Sequence, residues 1–167
     1  MEKASGGGPL AALVTASAAE LLAEIARASA NGWSEAGAVA AQGESLRSRA
    51  APLAELSAQA YALALATRGN DYDVGRAYAA AAEPPLRIAE TAFDVAQLAA
   101  HVAEHAQPAR RADAVSAGLV AAGCARAAAE LVSVNLTMSA DDERVRKAEL
   151  LAEEAARIAE STRAARE

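Results

Sequence analysis

Apolar residues recur along this chain at steps of three and four, the spacing that gathers them on one face of an α-helix. Leu10, Leu13, Val14, Ala18, Leu21, Leu22, Ile25 and Ala28 keep that spacing. They predict an amphipathic helix over Pro9 to Ser29, stopped by Asn31-Gly32. Pro9 suits the first turn, where a missing N–H costs nothing. Val39, Leu46, Leu53, Leu56, Ala60 and Leu63 predict a second helix over Glu35 to Thr67. Ser34 is its expected N-cap, and Pro52 is expected to kink it or divide it into two collinear pieces.

Gly69-Asn70 ends that element, and Asp71 or Asp73 is expected to cap a third helix. Glu83-Pro84-Pro85 interrupts the third helix, because the residue before a proline avoids the α region. Leu86, Ile88, Ala92, Val95, Ala96 and Ala99 then carry it to about His105. After Gln107-Pro108, a fourth helix is expected over Ala109 to Met138. A fifth is expected to begin at Ser139, with Asp141, Asp142 and Glu143 complementing its dipole. Val145, Ala148, Leu151, Ala152, Ala155 and Ile158 give this last helix a narrow apolar stripe and a surface position. Short connections make antiparallel neighbours. The expectation is an all-α, up-and-down bundle of about five long helices forming one domain over residues 1–167.

Composition strengthens the helical reading. Close to a third of the chain is alanine and aromatic residues are only 3%, whereas strands favour β-branched and aromatic side chains. A core of alanine and leucine implies close approach between helices. The net charge of −6 and the lack of a large basic cluster argue against a nucleic-acid partner. One cysteine excludes an intramolecular disulfide and fits a cytoplasmic location. No signal peptide is evident at the N-terminus, and no uninterrupted apolar run has the length of a membrane span.

Candidate chemistry lies in four places. Gly6, Gly7 and Gly8 precede a helix, where free amide N–H groups beside the positive dipole end suit an anion or carbonyl; the plainer reading is a frayed terminus or a close backbone crossing. Asp113, Cys124 and Asn135 recur every eleven residues, so they share one stripe of the fourth helix. Asp113 reads either as a first-turn acid or as a carboxylate that moves a proton. The stripe is about 33 Å long by helix rise, so Asp113 and Asn135 cannot touch one reacting atom. The assignment is Asp113 as the chemical end, facing the glycines, with Cys124 and Asn135 holding the structure. His101-Val102-Ala103-Glu104-His105 matches H-x-x-E-H, but with no distant further ligand in the sequence the expectation is no metal site.

These features together resemble the cyclodeaminase/cyclohydrolase family, the domain fused to a formiminotransferase in animals and found alone in bacteria. Gly6-Gly7-Gly8-Pro9-Leu10-Ala11-Ala12 resembles the family's entrance. Residues 79–92, AAAAEPPLRIAETA, resemble its proline-broken, alanine-rich helix. Ala112-Asp113 through Val134-Asn135-Leu136 resembles its long alanine-rich helix with a closing asparagine. The resemblance implies a homodimeric enzyme acting on a reduced folate without a cofactor. It would hydrolyse 5,10-methenyltetrahydrofolate or cyclise 5-formiminotetrahydrofolate with release of ammonia. It also implies Asp113 as catalytic, and Gly6, Gly7, Gly8 and Asn135 as substrate-binding. The chain departs from the family pattern at Pro9, where the family has a serine, at Ser57, where it has an aspartate, and at Leu131, where it has an asparagine. A lysine-bearing stretch after the first helix is also absent. The alternative is the same scaffold with an altered substrate, or a non-catalytic ligand-binding or structural helical dimer.

Overall fold

The computed structural model describes residues 6–137 and 141–165. Helix α1 spans Gly7–Ala28, α2 Ala36–Ala50, α3 Leu53–Ala66, α4 Asp71–Ala81, α5 Glu83–His105, α6 Arg111–Asn135 and α7 Glu143–Ala164, with a 3-10 turn at Pro108–Arg110 before α6. These seven segments make the five rods that the periodicity predicts. Ala51 and Pro52 keep right-handed helical dihedrals between α2 and α3, so Pro52 kinks one rod. Ala82 does the same between α4 and α5. Pro84 falls in the first turn of α5, where the N–H it lacks would have had no partner. The described residues contain no strand.

Two helix starts differ from expectation. Asn70, not Asp71 or Asp73, caps α4: its Oδ1 accepts from the Asp73 N–H at 3.0 Å. Asn70 therefore opens an element as well as closing one, and the two aspartates sit in the first turn beside the dipole. Ser34 forms no cap, and α2 starts at Ala36 without a side-chain cap bond. The expected start at Ser139 and end at Met138 lie outside the described residues.

Helices α5 and α6 form the centre, with α1 across both, α2 against α1, and α7 against α6 and α5. Leu22, Ile25, Leu53, Ile88, Val95, Val102 and Val132 are the largest fully buried apolar side chains. Most of the remaining core is alanine. The predicted stripe of α7 is buried at Val145, Ala148, Ala152 and Ala155. On α1 the packed face is rotated from the expected one. Ala11, Ala12, Ala18 and Ala19 are buried, while Leu10 is 64% and Leu13 52% exposed. Small residues let the helix axes approach, so the alanine face packs inward and the bulkier leucines turn out. The same holds on α3, where Leu56 and Leu63 are exposed.

By length and composition, Gly7–Ala28 and Pro108–Asn135 are apolar enough to cross a membrane. Their apolar residues have a use inside this fold, since 61% and 50% of the two windows are buried. Glycine marks the tightest crossing. A Cβ on Gly43 would lie 2.9 Å from the Ala19 carbonyl oxygen and 2.9 Å from the Ala23 Cβ, so α2 meets α1 at its backbone. Gly123 on α6 has open space where its Cβ would be.

At its start, α7 is fixed to the rest of the bundle through Arg144. Asp142 caps α7 and accepts from the Arg144 N–H at 2.9 Å and from its Nη2 at 2.9 Å; Arg144 Nη1 in turn donates to the Ala79 carbonyl at 2.8 Å. The Arg144 side-chain hydrogen bonds hold the Asp142 carboxyl at about 2, below the ordinary aspartate value.

Gly43→Ala adds helix propensity worth about 1 kcal/mol but forces a backbone shift costing about 1–3 kcal/mol, so it is expected to lower stability in urea unfolding. Gly123→Ala carries the propensity gain alone and is expected to raise it by about 0.4–1 kcal/mol. Because the Asp142 carboxyl is depressed when folded, its contribution is present above the unfolded value and lost as pH falls through about 2. Asp142→Ala should therefore lower the melting temperature at pH 7, with the difference from wild type shrinking between about pH 4 and pH 2.

Candidate active site

A cavity of about 680 Å³ opens where the start of α1, one face of α3 and the end of α6 converge. Gly6, Gly7, Gly8, Pro9, Ser57, Leu131 and Asn135 line it, with Glu55, Gln59 and Tyr61 from α3. The sequence builds this end from small residues. Gly6 has φ 128°, a left-handed conformation that favours glycine and lets the chain turn into α1. No side chain caps α1. The N–H groups of its first turn have no partner within the helix, and Pro9 contributes none. Gly8 is required for another reason: a Cβ there would sit 2.0 Å from Ser57 Oγ and 3.0 Å from Ser57 Cβ. Helix α3 thus lies against the α1 backbone, with the Ser57 hydroxyl filling the place of a side chain.

Polar groups around this cavity are few and come mostly from α3. Gln59 Nε2 donates to Glu55 Oε1 at 2.7 Å, which holds the carboxylate at the cavity rim. Tyr61 is 49% exposed and offers an aromatic wall with a hydroxyl. Asn135 Nδ2 donates to the Ala81 carbonyl at 3.0 Å, tying the end of α6 to the end of α4. Its Oδ1 accepts no hydrogen bond from the described residues. An apolar cavity with a few placed polar groups is the usual form of a small-molecule site.

Gly6, Gly7, Gly8 and Asn135 are therefore brought together, and Asp113 is not. Gly7 lies against Leu131, so the start of α1 meets the end of α6 and the two helices run antiparallel. At the other end, the Gln107 N–H donates to Ser29 Oγ at 3.2 Å, joining the end of α1 to the loop that leads into α6. Asp113, in the first turn of α6, is exposed at that far end. The rise from Asp113 to Asn135 separates it from the cavity by about 33 Å. The expectation that Asp113 faces the glycine entrance is corrected: in one chain the Asn135 end of the stripe is the cavity end.

Cys124, midway along the stripe, is a buried core thiol. Burial pushes its pKa up, only partly offset by a hydrogen bond with Thr15 of α1. A raised pKa disfavours the thiolate and with it a nucleophilic role. The three residues of the stripe face three environments, exposed, buried and half-buried. Glu55, Gln59 and Tyr61 are not among the site residues expected from the sequence. Their usable signal was the i, i+4 spacing of Glu55 with Gln59 and of Ser57 with Tyr61, on a helix whose leucines look like core.

The double-mutant cycle of Gly8 and Ser57 tests this contact. Gly8→Ala is expected to destabilise the fold by about 1–3 kcal/mol, and Ser57→Gly in the same chain to recover part of that loss. Additive effects in thermal unfolding would show that the contact is absent.

Comparison with known proteins bears on the whole chain. A family model described as formiminotransferase-cyclodeaminase matches residues 1–154. Among solved structures, the fold is similar to the formiminotetrahydrofolate cyclodeaminase from Thermotoga maritima, with a TM-score of 0.81 and 19% identity over 94% of this chain and 86% of that one. A comparison with curated proteins finds no match. With the match spanning nearly the full chain and the helical architecture agreeing, the chain belongs to the formiminotransferase-cyclodeaminase family.

Proposed function

We propose that the cavity at the glycine entrance binds a reduced folate and carries out one-carbon chemistry on it. The single observation that supports this most is the convergence of Gly6 to Gly8, Asn135 and a carboxylate, Glu55, on one cavity of about 680 Å³. That volume lies in the range of small-molecule sites. The two candidate reactions share an amidine-type carbon on N5, bonded also to N10 in the methenyl form and to an imino nitrogen in the formimino form. In hydrolysis, water adds to the carbon of 5,10-methenyltetrahydrofolate. The C–N5 bond then breaks, one proton ends on N5 and one is released, leaving the 10-formyl product. In cyclisation, N10 adds to the formimino carbon, a proton is taken up, and the C–N bond to the leaving nitrogen breaks to give ammonia. Each needs a positioned group that accepts or donates a proton. Glu55 has that place at the rim, oriented by Gln59. The open N–H groups at the start of α1 suit a carboxylate or carbonyl of the substrate.

Asp113 enters this reading in one way only, through a second copy of the chain whose α6 start reaches the cavity. A homodimer is itself part of the proposal. Leu10 and Leu13 on α1 and Leu56, Leu63 and Tyr61 on α3 leave apolar surface beside the cavity. A second copy would cover it.

One observation favours a second reading, a changed substrate. Pro9, Ser57 and Leu131, three of the positions where the chain departs from the family's pattern, line this one cavity. Replacing three hydrogen-bonding or charged groups with a pyrrolidine ring, a small hydroxyl and a leucine makes the cavity less polar. On this reading the scaffold is retained and a less polar ligand is bound.

The tests separate these readings. Purified protein is expected to speed the loss of methenyltetrahydrofolate absorbance, or to turn over 5-formiminotetrahydrofolate, with Glu55→Gln lowering kcat by about 10²-fold or more. Asp113→Ala measured beside it reports whether a second copy supplies that carboxylate. No turnover of either folate, with thermal stabilisation by a less polar ligand only, would replace the first reading with the second. Light scattering is expected to give twice the chain mass.

A further inference from the structure

The end of the bundle opposite the cavity carries a cluster that the proposed chemistry does not use. His101, Glu104 and His105 lie at the C-terminal end of α5, and their ligand atoms fall within 4.8 Å of one another. The H-x-x-E-H run lacks a further ligand in the sequence, but the fold supplies one from another element. Glu35, the residue before α2, places its Oε2 3.8 Å from His101 Nε2. Helical spacing explains the rest, because residues three and four apart project from the same side of a helix.

The ring geometry suits coordination. His105 Nδ1 lies 2.9 Å from the His101 carbonyl oxygen. A carbonyl only accepts, so Nδ1 carries the proton and the Nε2 lone pair is free to bind. Metal-ligating histidines are commonly oriented in this way, by donating the other ring N–H to a carbonyl. The two imidazoles are 4.4 Å apart between centroids, close enough for small side-chain rotations to bring both onto one ion. Trp33 stacks on His105 at 5.4 Å and 14°, and meets His101 at 5.7 Å. It walls one side of the cluster and limits the rotamers of both histidines.

We propose that His101, His105, Glu104 and Glu35 form a site for a borderline divalent transition metal such as Zn²⁺ or Ni²⁺. Two imidazoles with carboxylates favour these ions over the hard, oxygen-loving Mg²⁺ and Ca²⁺. The ion bridges the α1–α2 connection, through Glu35, to the end of α5. Pro85 at the cavity and His101 are about 24 Å apart by the rise of α5. Within one chain the site is therefore a clamp on the bundle end, set apart from the cavity.

The chain's single tryptophan makes the site directly readable. Untagged protein is titrated with Ni²⁺, whose paramagnetism quenches a neighbouring indole, while Trp33 fluorescence is followed. Saturable quenching at one ion per chain is expected, reversed by chelator and competed by Zn²⁺ but not by Mg²⁺. His101→Gln and His105→Gln should each weaken binding at least about tenfold, and Glu104→Gln and Glu35→Gln should weaken it measurably. Because His105 touches Trp33, Zn²⁺ calorimetry on the same variants gives a readout independent of fluorescence, and circular dichroism verifies that each variant is folded. Quenching that does not saturate, that Mg²⁺ reproduces, or that persists unchanged in both histidine variants would overturn the proposal. So would Zn²⁺ affinity indifferent to both Glu104→Gln and Glu35→Gln, since a bare histidine pair would then account for binding.

Discussion

Everything in this molecule depends on helices approaching closer than ordinary side chains allow. Alanine fills most of the core, and glycine stands where even a methyl group would collide. Gly43 meets the backbone of α1 near Ala19 and Ala23, and Gly8 takes the Ser57 side chain against its own backbone. On the central pair, a Cβ at Gly118 would come within 3.1 Å of Ala99. Alanine loses no side-chain entropy on burial, which favours such a core, but each residue buries little area. Stability then comes from many close contacts spread along long rods rather than from a few large side chains.

The same packing gives the bundle two chemically different ends. At one, the start of α1 meets the end of α6 without a side-chain cap on α1, and a cavity remains between α1, α3 and α6. At the other, Trp33 and two histidines close the bundle around α5. Antiparallel pairing of α1 with α6 puts the helix's first turn at one end and its last at the other. A residue stripe along α6 consequently links the two ends and cannot form one site.

The helical rods were legible because periodicity, proline position and alanine content agree. The places of the interruptions at Pro52 and Pro84-Pro85 were legible too, but the sequence left open kink or break, which the helical dihedrals of Ala51, Pro52 and Ala82 decide. Which face of each rod packs was less legible. Leu10, Leu13, Leu56 and Leu63 obey the core spacing yet are exposed, while neighbouring alanines are buried. Hydropathy ranks leucine above alanine, but in this core the separation between axes decides, and alanine permits the shorter one.

By itself, then, the sequence determined the fold class, the helix order, the glycine entrance and a resemblance that covers most of the chain. These rest on local periodicity and on motifs contiguous in the chain. Tertiary structure alone decided that Gly6 to Gly8 and Asn135 share a cavity with Glu55 and Ser57, and that Asp113 stands at the far end. It also decided that Glu35 faces His101 across a gap between elements. The physical reason is common to all three. Spacing along one helix fixes which residues share its face, but only the direction and axial position of the neighbouring helix fix what that face meets.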